Sequence, residues 1–331
     1  MLELFPWHQT QWRQLLAARD RSRLHHALLL AGPGGVGVDR FAECLARRML
    51  CENPPGEDVA CGLCRACALL EAGSHPDTLR VAPEEEGKQI PVDAIRDLID
   101  YLQLSSHGGS IKIAIVAPAE RMNWNAANTL LKVLEEPPGS ALIMLVSSRP
   151  SLLPATIRSR CQIVEFPPVH DQSAQDWLRQ RLPEGQEAGD LLLLARGEPI
   201  KAAAMLENGA DKKQLEILQD LKAGGDPIGL ATKWQFLDIA EVFATIAVFL
   251  AQLSRLKSGA MPHALADKGI MSELRALTPR LELTQMLACY ERANQNHALA
   301  VGPYNINKQG LLEDFIIYWQ NSFASNRGRQ S

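Results

Sequence analysis

The segment that decides the fold is residues 26–39, HALLLAGPGGVGVD. Its first part, Ala27–Ala31, is a short continuous apolar run, which is typical of a strand buried on both faces of a parallel sheet. A glycine-rich turn follows from Gly32 to Gly37, and the apolar residues after Asp39 recur with helical spacing. A strand, a glycine-rich turn and a helix in this order form the setting of a phosphate-binding loop.

The alternation of strands and helices extends outward from this segment through the first half of the chain. Further strands are predicted at 78–81, 111–116, 141–147 and 162–166. Helices are predicted over 39–50 and 125–136, and the second stops before Pro137-Pro138. Strands that alternate with helices indicate a parallel α/β sheet.

The β pattern ends at Pro167-Pro168, and the remainder is predicted to be helical. Three short helices are predicted within 171–208, followed by longer ones over 236–256, 281–299 and 311–323. The turn at Asn208-Gly209 separates the short helices from the long ones. We therefore expect an α/β domain over 1–168 and two helical domains, over 169–209 and 210–326.

Composition and charge exclude several classes of protein. The 331 residues are 46% hydrophobic and 22% charged, with a net charge of −4, as in ordinary soluble globular proteins. A chain that binds DNA on its own is usually basic. No apolar run approaches the roughly 20 residues of a membrane span, and the first residues lack the basic region and the cleavage site of a signal peptide. A cytoplasmic location is expected.

The glycine loop lacks the residues that an ATP site needs. A working loop has Lys and then Ser or Thr after its last glycine, for the phosphates and for Mg²⁺, but these positions hold Val38 and Asp39. The strand that should end in acidic residues for Mg²⁺ ends in Ala117-Pro118. The predicted vestigial phosphate loop comprises Gly32, Gly34, Gly35, Gly37, Val38 and Asp39. A turn that serves only strand–helix packing is the alternative.

Four of the seven cysteines lie close together, separated by nine, two and two residues. They are Cys51, Cys61, Cys64 and Cys67. Disulfides are rare in the cytosol, and four thiolates can close a tetrahedral site with no open position, so a structural Zn²⁺ is predicted. An iron–sulfur cluster, which lacks the expected Cys followed by Pro, and unligated thiols are the alternatives. The isolated Cys44, Cys161 and Cys289 are predicted to be small buried hydrophobes.

Several segments together resemble the AAA+ clamp-loader family of DNA polymerase III. The closest resemblance is at 128–138, NTLLKVLEEPP. Residues 153–161, LPATIRSRC, are similar to the family's segment that ends in Ser-Arg-Cys, and 26–30 and the four-cysteine insert also match. These motifs cover about residues 24–166. Without the resemblance, Arg160 within LPATIRSRC is most simply a surface arginine with a salt partner.

The resemblance implies a RecA-like AAA+ domain over 1–168 with a zinc insert at 51–67, a helical lid over 169–209 and a helical collar for oligomerisation over 210–326. It also implies partners: the ATPase subunits and the delta subunit in a hetero-pentamer that loads the sliding clamp onto primed DNA. The departures at Val38, Asp39 and Ala117-Pro118 imply a member that binds no ATP and acts as a stator. Arg160 would be its arginine finger, acting in trans.

Two other readings of the sequence remain open. The first is an active AAA+ ATPase of the helicase-loader or motor type, against which Val38 and Asp39 weigh. The second is a stand-alone zinc-dependent DNA-binding module, against which the acidic net charge weighs. Nucleotide binding and salt-dependent DNA binding by the isolated chain distinguish them.

Overall fold

The first half of the chain folds around a five-stranded parallel β-sheet. The computed structural model describes residues 2–56, 59–85, 87–106, 111–183, 187–259, 274, 276–280, 282–302 and 306–327. The strands are Ala27–Ala31 (β1), Thr78–Val81 (β2), Lys112–Val116 (β3), Ala141–Ser147 (β4) and Gln162–Glu165 (β5). Their order across the sheet is β2-β3-β4-β1-β5, and every pairing is parallel. The predicted strands and the α/β class are confirmed.

Helices cover both faces of this sheet. They are Gln9–Asp20 (α1), Val38–Leu50 (α2), Arg65–Glu71 (α3), Val92–Gln103 (α4), Trp124–Glu135 (α5) and Ala155–Arg158 (α6). Leu28 and Leu30 in β1 pack in one buried cluster with α1 and α2, whereas Leu29 packs in another with α4 and α5. Successive side chains of a strand point to opposite faces. A strand covered on both sides must therefore be apolar throughout, as the run Ala27–Ala31 predicts.

The two predicted helices begin one residue earlier than expected, at Val38 and at Trp124. α5 begins there because Asn123 caps it: Asn123 Oδ1 accepts a hydrogen bond from Ala126 N at 2.8 Å. The helix ends at Glu135, two residues before Pro137, because the residue that precedes a proline disfavours the helical conformation.

From His170 onward the described part of the chain is helical. The helices are Gln172–Arg179 (α7), Ala188–Leu194 (α8), Pro199–Asn208 (α9), Ala210–Ala223 (α10), Pro227–Trp234 (α11), Ile239–Lys257 (α12), Leu283–Val301 (α13) and Lys308–Arg327 (α14). The predicted short helices are confirmed as α7, α8 and α9, and the predicted long ones as α12, α13 and α14.

The chain divides into two compact units, Met1–Val169 and His170–Ser331. Their boundary lies one residue beyond the predicted end of the α/β domain. Within the helical unit, Gly209 joins α9 to α10 with a positive φ of 68°, a conformation that glycine adopts readily. The division into a lid over 169–209 and a collar over 210–326 stays a prediction, and residues 260–273 of the predicted collar lie outside the described residues.

One helix in the described part of the chain, α12, is long and apolar enough to cross a membrane by length and composition. Of its most apolar window, 61% is buried in the structure. Phe243, Ile246 and Leu250 are among its buried residues. Such burial is typical of the core helix of a folded domain.

Candidate functional site

The glycine loop joins β1 to α2 at the carboxyl-terminal edge of the sheet. Gly32 N donates to Ser147 O at 3.1 Å, which continues the pairing of β1 with β4. Residues Gly34–Val36 form a turn of 3-10 helix, and Gly37, with a φ of 86°, precedes the first residue of α2. The backbone therefore has the strand, turn and helix start that a phosphate site requires.

In an ATP-binding loop, Lys and then Ser or Thr follow the last glycine. Here these two positions are occupied by Val38 and Asp39, which make other contacts. Val38 is buried in the core between the sheet and α2. Asp39 is bound by Arg80, whose Nη2 atom lies 2.7 and 2.8 Å from the two carboxylate oxygens. Arg80 Nη1 also donates to Glu43 Oε1 at 3.3 Å. No sequence motif indicates Arg80; its contact with Asp39 follows from the place of β2 in the sheet.

A cavity of about 320 Å³ lies at this edge of the sheet. It is lined by Gly32, Gly34, Val38, Asp39, Arg80, Ala117, Pro118, Val146 and Ser148. In an ATP site, acidic residues at the end of this strand would bind Mg²⁺. Here Ala117 and Pro118, which follow β3, line the cavity instead. Among the lining residues the charged ones, Asp39 and Arg80, are paired with each other. An incoming phosphate would meet a carboxylate and no unpaired cation on this lining.

Gly32 has a packing role that does not depend on phosphate. A Cβ at this position would lie 2.3 Å from Phe166 O, whereas a Cβ at Gly34 would meet no atom within 4 Å. Gly32→Ala should therefore lower the free energy of unfolding by about 1–3 kcal/mol, the usual cost of overpacking. Gly34→Ala is the matched control and should change it by about 1 kcal/mol or less. Urea unfolding measures both, and equal effects would contradict the packing role.

The four clustered cysteines come together between α2 and α3. Their Sγ atoms lie within 4.8 Å of one another. Cys67 Sγ is 3.7 Å from Cys51 Sγ and 3.9 Å from Cys61 Sγ, and Cys64, the fourth, caps α3. A tetrahedral zinc ion with Zn–S bonds of about 2.3 Å separates its sulfurs by about 3.8 Å, whereas disulfide sulfurs are about 2.05 Å apart. The spacing fits a tetrahedral metal site.

The electrostatics of these thiols also fit a cation. The backbone N–H groups of Leu63 and Cys64 donate to Cys61 Sγ at 3.5 and 3.3 Å and lower the pKa of Cys61 to about 6. Burial, in contrast, raises the pKa of Cys51 and of Cys67. Neighbouring thiolates repel one another, so all four can lose their protons together only around a positive ion. Four sulfur ligands leave no open position, which fits structural zinc.

The other three cysteines lie away from this cluster. Cys44 and Cys289 are buried and Cys161 is half-buried. Burial raises the pKa of the Cys44 thiol to about 12 and that of Cys161 to about 11. The prediction of small buried hydrophobes is confirmed for Cys44 and Cys289, whereas Cys161 is only half-buried.

Arg160 lies at the opposite, amino-terminal edge of the sheet. It precedes β5, whose first residue pairs with Leu28 near the start of β1. Arg160 Nε donates to Glu135 Oε1 at 2.6 Å and Nη1 donates to Thr156 O at 2.9 Å, while Nη2 also contacts Glu135 Oε1. Because the five residues of β1 separate the two edges by about 13 Å, Arg160 is not part of its own chain's glycine-loop site.

Sequence similarity to known proteins extends over nearly all of the chain. Residues 7–170 match the family described as "DNA polymerase III, delta subunit". DNA polymerase III subunit delta' of Pseudomonas aeruginosa is 33% identical over 332 residues, covering 96% of this chain and 98% of that protein. Subunit delta' of Escherichia coli is 37% identical over 204 residues, 61% of each chain. Subunit tau of Bacillus subtilis is 28% identical, covering 79% of this chain and 43% of that protein.

Solved structures show a weaker likeness. A DNA polymerase III gamma subunit-related protein from Thermotoga maritima has 20% identity and a TM-score of 0.44, covering 95% of this chain and 98% of that chain. The Bacillus subtilis DNA clamp loader delta protein has 13% identity and a TM-score of 0.34, covering 94% and 99%. The relationship that identifies the family is therefore the one in sequence.

Proposed function

The chain belongs to the family of the DNA polymerase III delta' subunits, and from that membership we propose that it acts in a clamp loader, the complex that places a sliding clamp on primed DNA. The observation that carries this proposal is the extent of the relationship, which spans both units of the chain. The chain is then a subunit of a replicative polymerase complex rather than an enzyme by itself.

Within that complex the chain hydrolyses no ATP. Val38 replaces the phosphate-binding lysine, Asp39 is already paired with Arg80, and Ala117-Pro118 supply no carboxylate for Mg²⁺. A charged hydrogen bond contributes about 1.5–3 kcal/mol, so the loss of the lysine alone weakens nucleotide binding about ten- to a hundredfold. The repulsion between phosphate and Asp39 weakens it further.

Arg160 serves a neighbouring subunit. Its place at the edge opposite its own glycine loop supports a role in trans, as an arginine finger on ATP bound by the adjacent ATPase subunit. In phosphoryl transfer, negative charge spreads over the γ-phosphate oxygens, and a planar guanidinium stabilises that charge.

The four-cysteine insert holds a structural Zn²⁺. Cys51, Cys61, Cys64 and Cys67 supply its ligands, and the support is the spacing of their sulfurs. Bound there, the ion would tie the end of α2 to the start of α3 and leave no position for a substrate.

The remaining roles follow from family membership. The chain joins the ATPase subunits and the delta subunit in a hetero-pentamer, where it acts as a rigid stator. Residues 169–209 form the lid and 210–326 the collar that holds the ring together. The chain acts on the sliding clamp and primed DNA through the complex. It is located in the cytoplasm.

The isolated chain should neither bind Mg·ATP at micromolar concentrations nor hydrolyse it, yet clamp loading by the other subunits should require it. Calorimetry measures the binding, and a loading assay on primed DNA measures the requirement. Micromolar ATP affinity would favour the active helicase-loader or motor type of ATPase. Salt-dependent DNA binding by the chain alone, with no requirement in clamp loading, would favour the stand-alone zinc module.

A further inference from the structure

Glu135, the last residue of α5, is the ionic partner of Arg160. One of its carboxylate oxygens contacts both Nε and Nη2 of the arginine. The third nitrogen, Nη1, donates to the main-chain oxygen of Thr156 in α6. All three nitrogens of the guanidinium are therefore engaged within the chain, although 34% of the Arg160 side chain is exposed.

These contacts do not use every donor that Arg160 has. A guanidinium carries one N–H on Nε and two on each terminal nitrogen, so one N–H is left on Nη1 and one on Nη2. In a bidentate contact, a guanidinium donates to a phosphate through two N–H groups, one on each terminal nitrogen. Glu135 thus restrains the arginine without consuming the donors that a phosphate would need.

We propose that Glu135 is a positioning residue for Arg160, which it holds in the arrangement that meets the γ-phosphate on the neighbouring subunit. The inference rests on the proposed role of Arg160 as an arginine finger. A free arginine side chain loses much rotamer freedom when it becomes fixed, whereas one that is already held loses less. Because the benefit arises in the transition state, it should affect kcat rather than the KM for ATP.

The same ion pair could instead restrain the arginine from reaching the phosphate, in which case Glu135 would be inhibitory. The geometry favours positioning, because the carboxylate shares one oxygen between Nε and Nη2 and leaves an N–H on each terminal nitrogen. The two roles predict opposite changes in rate when the carboxylate is removed.

The test uses the reconstituted clamp loader with full-length chains. Glu135→Ala should lower the kcat of clamp- and DNA-stimulated ATP hydrolysis about two- to fivefold, in keeping with the modest strength of a half-exposed ion pair, and leave the KM for ATP unchanged. Glu135→Gln keeps an oxygen acceptor at the same place and should retain most of the rate. Glu136→Ala is the matched control, since Glu136 is exposed and has no ion pair among the described residues.

The same substitutions in an Arg160→Ala background separate this inference from the proposed function. If Glu135 acts through Arg160, Glu135→Ala should cause no further loss there. Three outcomes would overturn the positioning role and leave the finger intact. Glu135→Ala could cause an equal loss in both backgrounds, or it could raise the rate. The third outcome is a wild-type rate for Glu135→Ala when Arg160→Ala is impaired. If Arg160→Ala alone has no effect, the finger fails and the positioning role fails with it.

Discussion

Replacing Arg160 with alanine is expected to lower clamp-stimulated ATP turnover and clamp loading by the reconstituted complex, while ring assembly stays intact. An arginine finger contributes about 10³–10⁵ in rate at the site that it serves. The measured turnover should fall by less, because the other ATP sites of the ring keep their own fingers. Steady-state ATP hydrolysis and loading of labelled clamp onto primed DNA measure the effect.

Arg160 is a partly exposed arginine with a salt partner, as the sequence without the family resemblance suggests: it is paired with Glu135, and about a third of its side chain is exposed. Its loss should still cost the fold about 1 kcal/mol or less, because the pair is open to solvent. Arg160→Lys should restore little activity, since an ammonium cannot reproduce the planar donor fork.

Arg158, exposed two residues earlier, is the control for Arg160. If Arg160→Ala loads clamps at the wild-type rate while Arg158→Ala does not, Arg158 is the finger. If neither substitution changes turnover in an intact ring, the chain supplies no arginine from this segment.

Replacing Cys64 with alanine is expected to abolish stoichiometric zinc binding and to destabilise the insert between α2 and α3. Structural zinc in zinc-finger peptides contributes about 10–16 kcal/mol of apparent binding free energy, so its loss should unfold at least residues 51–67. The substitution also removes the cap of α3, where Cys64 Sγ accepts a hydrogen bond from Cys67 N. Metal analysis of the purified chain and limited proteolysis of the insert measure the two effects.

Cys161→Ala is the control for Cys64→Ala, because it also removes a thiol but lies outside the cluster. It should retain about one zinc per chain. Freshly purified wild-type chain that contains no zinc would contradict the site, and iron with visible absorbance would favour an iron–sulfur cluster instead.

The sequence by itself determined the α/β part of the fold. β1, β3 and β4 lie inside the sheet and are covered on both faces, so their interiors are continuous apolar runs that are visible without knowledge of their neighbours; only Lys112 at the start of β3 and Ser147 at the end of β4 are polar. The edge strands β2 and β5 are partly exposed, and each carries only two apolar residues, Leu79 and Val81 in β2 and Ile163 and Val164 in β5. The helix α5 was also predicted, with its end set by Pro137, but its cap Asn123 was missed and its start was placed one residue late.

The sequence also determined which phosphate- and Mg²⁺-binding residues the glycine loop and β3 do not have. A missing lysine at Val38 and missing carboxylates at Ala117-Pro118 are properties of a motif and need no tertiary structure. The clustering of Cys51, Cys61, Cys64 and Cys67 is likewise a matter of spacing along the chain, since loops this short keep their ends close.

Only the tertiary structure decided how the charges are paired. Arg80 and Asp39 are 41 residues apart, and Arg160 and Glu135 are 25 apart. The buried pair of Lys112 and Asp77, 3.5 Å apart at the start of β3, is a third example. None of these pairs has a sequence signature, because ion pairing depends on distance in space, and the order of the strands sets that distance. The strand order also sets the distance between Arg160 and the chain's own glycine loop, because the parallel sheet places them at opposite edges.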